Sequence, residues 1–173
     1  MSTVGRKGRS FATIEHDDLL RLALIAKRDR LQFFAAHPDW AALYADRFLG
    51  AALCQGAALH FVAGRVGIQD FDVYSFFAAH PARRWYAKRN KHVDFGSAKF
   101  GRSIDRPDFV GRRVDLLARS LPCAPGDDLA TAIREWLQEG KSVTAQMLAK
   151  KAVVLLSPPR RIGEVIWPTL RDA

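Results

Sequence analysis

The segment Gln69-Asp70-Phe71-Asp72-Val73-Tyr74 alternates acid with apolar residue, the pattern of a half-buried strand. Residues two apart on a strand point to the same face, so Asp70 and Asp72 project together, roughly 7 Å apart along the chain. A third acid stands in a similar setting at Arg113-Val114-Asp115-Leu116-Leu117. Two carboxylates on one strand and a third on its neighbour repel one another unless a cation sits among them. A hard divalent ion suits such a set, because Mg²⁺ is held by a few carboxylates while phosphate oxygens and waters complete its shell. The expected cofactor is therefore Mg²⁺, with Mn²⁺ as its substitute.

Around that strand the chain reads as one domain with a real core. It has 173 residues, 49% of them apolar, and four tryptophans, which excludes a disordered chain. Lys and Arg number 27 against 18 Asp and Glu, a net charge of +9 that favours polyanionic partners such as nucleotides or RNA. The two cysteines, Cys54 and Cys123, have no metal-ligand spacing and fit reduced thiols in a cytoplasmic protein. No apolar run reaches membrane-spanning length and no secretory segment follows the basic start, so no membrane partner is expected. Residues 1–12 read as a flexible N-terminus and 13–173 as the domain.

The periodicity predicts an amphipathic helix from Ile14 to Ala36, and after His37-Pro38 a second one capped by Asp39 and running through Tyr44 towards Phe48. Leu49 to Cys54 reads as a buried strand, Ala57 to Val62 as a short helix, and Ile68 to Phe76 as the acidic strand. Pro81 to Arg89 is expected to be helical, Asn90 to Phe95 a strand, Gly96 to Asp108 an exposed loop, and Phe109 to Ala118 a strand. Helices are expected at Asp127–Gln138 and Val143–Leu156, with Ile162–Trp167 docking back on the core. The fold class is α/β (α+β): a small twisted mixed sheet with helices on one side and around the ends. The stretch Phe33-Phe34-Ala35-Ala36-His37-Pro38 recurs at Phe76-Phe77-Ala78-Ala79-His80-Pro81, which reads as shared punctuation at two chain reversals. A solenoid would need at least three copies.

Between Cys54 and Val73 the order is strand, glycine turn, short helix, loop, acidic strand. Gly56, lacking a Cβ, lets backbone approach a ligand, and a helix opening at Ala57 aims free N–H groups at an anion. Phosphates at Gly56 and Ala57 would face a metal held by Asp70 and Asp72, with Arg65 in the intervening loop within reach.

This order resembles the nucleotidyltransferase superfamily, the polymerase-β-like enzymes. The residues that carry the resemblance are Gln55-Gly56-Ala57-Ala58-Leu59, Asp70-Phe71-Asp72-Val73 and Val114-Asp115-Leu116, spanning roughly Leu49 to Ser120. The Ala-Leu after the glycine is similar to the version found in AbiEii-type toxins and related small transferases. The resemblance implies that Asp70 and Asp72 bind both metal ions, that Asp115 binds the one activating the acceptor hydroxyl, and that Gly56 and Ala57 hold the β- and γ-phosphates of an NTP. It implies in-line attack of a hydroxyl on the α-phosphate with release of pyrophosphate, helped by a two-metal clamp.

The chain departs from that pattern at Gln55, where AbiEii-like proteins have a glycine, and at Ala57, where the polymerase type has serine. Arg113 and Arg119 share the strand face of Asp115. They either bind phosphate or neutralise the acid and make a metal unnecessary. Arg112 reads as exposed on the strand. Arg83, Arg84, Lys88, Arg89 and Lys91, interleaved with Trp85 and Tyr86, form the densest basic-aromatic segment; a solvated helix with two core aromatics accounts for it better than a nucleic-acid grip. Lys150 and Lys151 read as a solvated face in the same way. The acceptor stays open between RNA and protein. The alternative to an enzyme is a catalytically degenerate module of the same fold, binding RNA or a protein partner through its basic surface. A weaker third option, a metal-dependent nuclease, rests on Pro107-Asp108 followed by Asp115, but Leu117 stands where the lysine of that arrangement belongs.

Overall fold

A computed structural model of the chain describes residues 4–5, 8–85 and 91–169. Helix α1 spans His16–Ala36 and α2 spans Pro38–Tyr44. Pro38 opens α2 in its first turn, so His37 stands at the cap and Asp39 lies inside the helix, where its charge suits the dipole. Strands β1 (Val4–Gly5) and β2 (Arg9–Ser10) form a short antiparallel ladder. Ser10 is buried and bridges to Ile68, its amide donating to the Ile68 carbonyl at 2.9 Å. The fold therefore begins before residue 13, and the described part of the N-terminal segment is tied to the core.

The main sheet has six strands in the order β5-β6-β4-β3-β7-β8. These are β3 (Phe48–Cys54), β4 (Phe71–Ala78), β5 (Lys91–Asp94), β6 (Arg113–Leu121), β7 (Ala152–Leu155) and β8 (Val165–Trp167). Strands β4 and β6 run parallel; the other pairs are antiparallel. The mixed α+β sheet of the sequence reading is thus present, with α3 (Gln55–Ala63), α4 (Leu129–Glu139) and α5 (Val143–Ala149) completing the helices.

Three expectations are corrected. Helices cover both faces of the sheet rather than one: Leu53, Phe71, Val73 and Val114 pack towards α1 and α3, while Tyr74, Phe76, Val153 and Leu155 pack towards α4. Central strands apolar on both faces require that cover, since each buried large side chain contributes about 1.5 to 3 kcal/mol. The helix read over Val143–Leu156 stops at Ala149, and Ala152–Leu155 is a fully buried strand paired with β3. A short apolar run does not distinguish strand from helix by periodicity, and here the open edge of β3 decides. Residues 81–85 form a turn with a His80–Arg83 bridge, not a helix, and the rest of the segment read as Pro81–Arg89 lies outside the described residues.

The repeated Phe-Phe-Ala-Ala-His-Pro segments meet in space. Phe34 and Phe77 stand edge to face at 5.9 Å, and both contact the buried Trp85, which Trp40 and Tyr44 also line. Each histidine serves its own reversal: His37 Nδ1 lies 3.0 Å from the Phe33 carbonyl, and His80 Nδ1 accepts from the Ala82 amide at 3.0 Å.

Candidate functional site

Register assembles the acids. Cys54 pairs with Asp72 across the antiparallel β3–β4 ladder, and Asp72 pairs with Asp115 across the parallel β4–β6 ladder. Partners in register share a face of the sheet, so Asp72 and Asp115 stand side by side. Asp70, just before β4, joins them. Burial, then repulsion from Asp115, pushes the Asp70 carboxyl above the usual carboxylate range despite Arg113. Burial, then Asp70 and Asp115, pushes Asp72 up to about 7. Its carboxylate accepts no hydrogen bond from the described residues. The Cys54 thiol, fully buried on the same face, is raised well above its ordinary value by burial and by Asp72, which makes it inert.

Arg113 enters the cluster from β6. Its Nη2 donates to Asp70 Oδ2 at 2.5 Å and to Asp115 Oδ2 at 3.1 Å, while Nη1 pairs with Asp105. Its Nε lies 2.8 Å from Asp115 Oδ1, yet neither atom has an aligned hydrogen-bond partner, so that contact is coulombic. His92 Nε2 is 3.5 Å from the same oxygen.

The glycine turn opens onto these acids. Gln55 has φ +62°, the left-handed conformation that favours glycine, at the junction of β3 and α3. A Cβ built on Gly56 would meet nothing within 4 Å, and no side chain caps the amides of α3. A cleft of about 350 Å³ runs from here to the acids, lined by Gln55, Gly56, Ala57, Asp70 and Asp72 and, opposite in charge, by Arg9, Lys150 and Lys151. Neither lysine makes an ion pair with a described residue. Both sit where α5 ends and the chain turns into β7.

The sequence-derived residues divide accordingly. Gly56, Ala57, Asp70 and Asp72 all line the cleft; Asp115 is one strand further on, in the grip of Arg113. Arg113 does not face the cleft, because its donors are spent on three carboxylates. Arg65 is exposed beyond the C-terminal cap of α3 and does not line the cleft, although its neighbours Val66 and Gly67 do. Arg112 is buried rather than exposed: it donates to the carbonyls of Phe100, Gly8 and Gln69. Arg119 turns to Thr144 and the Trp136 ring. Asp108 lies on the surface, paired with Arg106, and does not line the cleft.

Sequence reasoning missed Arg9, Asp105 and the cleft position of Lys150 and Lys151. Arg9 lay in a segment read as flexible, and the lysines lay on a helix read as continuing to Leu156. Gln55 carried a signal, since it replaces a glycine at the turn, but its strain shows only in the backbone.

Mg²⁺ fits this donor set in part. Asp70 and Asp72 are two under-neutralised carboxylates on a cleft wall, which is what an ion shared with substrate phosphates asks of a protein. Among the described residues no three His, Cys, Asp or Glu side chains converge on one ion, because Arg113 stands between Asp70 and Asp115. No protein-family model, curated protein or solved structure matches the chain.

Proposed function

We propose that the protein is a Mg²⁺-dependent nucleotidyltransferase that moves an NMP group from an NTP to a hydroxyl acceptor, RNA or protein. One observation carries this reading: the unfilled Gly56 turn and the carboxylates of Asp70 and Asp72 line the same cleft, together with the cations Arg9, Lys150 and Lys151. A cleft lined by both acids and cations matches a metal–polyphosphate, which carries both signs.

In this reading Asp70 and Asp72 hold the ion, and the amides at Gly56 and Ala57 receive phosphate oxygens, as the N-terminus of an uncapped helix does. When bound, Mg²⁺ supplies charge stabilisation at the transferring phosphoryl group. Arg9, Lys150 and Lys151 neutralise the remaining phosphate charge and hold it in place. Asp115, released from Arg113, is the third acid.

A second reading has its own observation. The Arg113 contacts to Asp70 and Asp115 are what a catalytically degenerate module, binding RNA or protein through its basic surface, would retain as an internal neutraliser. The deciding experiment incubates the protein with α-³²P-labelled NTPs, Mg²⁺ and total RNA or protein. Transferred label and released pyrophosphate, both lost in Asp72→Asn, support the transferase. Salt-sensitive RNA binding indifferent to Mg²⁺, with no NTP-dependent thermal shift, supports the module.

A further inference from the structure

At the opposite end of β3 from Gly56 lies a second cleft, of about 440 Å³, sharing no lining residue with the first. Its walls are α1 and the segment after β7, with Leu20, Leu24, Phe48, Leu156, Pro159 and Ile162 giving an apolar interior. Leu24 is 66% exposed and Leu20 37%, so the α1 wall presents apolar surface to whatever enters. The volume lies within the range of a single small-molecule site.

The polar groups of this cleft are of one sign. Lys27 and Arg30, one helical turn apart on α1, line it, and among the described residues no acid does. The Arg30 guanidinium stacks over the Phe48 ring at 3.6 Å and makes no hydrogen bond or ion pair with a described residue. Burial lowers its pKa to about 10, with the neighbouring Asp29 carboxylate pulling the other way. Asp29, its sequence neighbour, is turned to Lys91 at 2.9 Å. A guanidinium presents five donors in a planar fork that matches a carboxylate.

We propose that this cleft binds a medium-chain fatty acid, its carboxylate on Arg30 and Lys27 and its chain along Leu20, Leu24, Leu156 and Ile162. A second copy of the chain is a poor occupant, because a twofold contact over this cleft would bring a second Lys27 and Arg30 to the same interface. The site does not depend on the nucleotidyl-transfer reading and shares no residue with it.

The test uses the full chain and decanoate below its micellar concentration, with 1-decanol as the uncharged control. Binding is read by calorimetry and by thermal shift. Decanoate raises the melting temperature and binds saturably; decanol and the Arg30→Gln variant each lose affinity by about tenfold or more, the worth of a charge-assisted pair. Leu24→Glu, at an exposed position where folding is insensitive, also loses binding through the apolar wall. The proposal is overturned by equal affinity for decanoate and decanol, by retention of decanoate binding in both variants, by no binding up to about 1 mM, or by a dimer in solution that Leu24→Glu dissociates.

Discussion

Arg113 on β6 and Asp70 ahead of β4 are joined by a 2.5 Å contact, and the same guanidinium reaches Asp115 and Asp105. One cation thus serves three carboxylates, while at Asp72, in register with Asp115, burial and the two acidic neighbours outweigh the pull of Arg113 and Lys151. The carboxylates outnumber their partner, and that imbalance, more than any single residue type, makes the cleft a candidate for a divalent ion.

Removing the cation exposes the imbalance. Arg113→Gln is expected to destabilise the metal-free protein by about 2 kcal/mol at neutral pH, since a partly buried ion pair broken on one side leaves uncompensated charge. Urea unfolding with EDTA measures this. Added Mg²⁺ should recover a good part of the loss, because the ion takes over the neutralisation; a loss that Mg²⁺ leaves untouched would identify Arg113 as a permanent structural partner.

Asp72 gives the pH dependence. Its folded carboxyl titrates at about 7, against about 3.9 in an unfolded chain. Between those values the folded state binds more protons than the unfolded state, so this group's contribution makes stability fall as pH rises through the window. Asp72→Asn removes that slope and is expected to stabilise the metal-free protein by about 1 to 2 kcal/mol at pH 7.5. Melting temperatures of both proteins from pH 4.5 to 8 test it. Curves that stay parallel across the range would rule out the buried charge as their cause.

The legible parts of the sequence were those with a period or a fixed spacing. The alternation at Asp70-Phe71-Asp72-Val73 marked β4 to within about three residues at either end, and α1 followed from its apolar stripe. The convergence of Asp72 and Asp115 depended on β4 and β6 being parallel neighbours, which strand patterns do not encode. Arg112 was read as exposed because alternation places an arginine beside Arg113 outwards or inwards with equal ease. What buries it is a set of three carbonyls from distant loops. Likewise Val153 and Val154 continued a helical stripe on paper, and only the unpaired edge of β3 made them a strand.

Gln55 tests the strain in the turn. A side chain at φ +62° costs about 1 to 2 kcal/mol relative to glycine, offset in part by the greater freedom glycine has in the unfolded chain. Gln55→Gly is expected to raise stability by about 0.5 to 1 kcal/mol, whereas Gln55→Val lowers it, since a β-branched residue tolerates that conformation least. Chemical denaturation of both variants decides. If Gln55→Gly is stabilised but transfers label more slowly, the glutamine side chain serves the substrate.

Arg112 holds the floor beneath the acids. Its Nη1 donates to the Gly8 carbonyl at 2.6 Å and the Gln69 carbonyl at 3.2 Å, and its Nε to the Phe100 carbonyl at 2.8 Å. Gln69 precedes Asp70, so this one side chain fixes the N-terminal segment, the Phe100 loop and the backbone that carries the first acid of the cluster. Arg112→Met keeps the stem but leaves three carbonyls without their donor, and is expected to cost about 3 kcal/mol, since buried acceptors lose charge-assisted bonds. Arg112→Lys should rescue little, because an ammonium lacks the fork that reaches three carbonyls at once. Urea denaturation gives the stability change, and hydrogen exchange at the Ser10 and Ile68 amides, which bond each other's carbonyls, reports whether the N-terminal segment has come loose. Protection retained at both amides in Arg112→Met would show that the ladder, not the arginine, holds that segment.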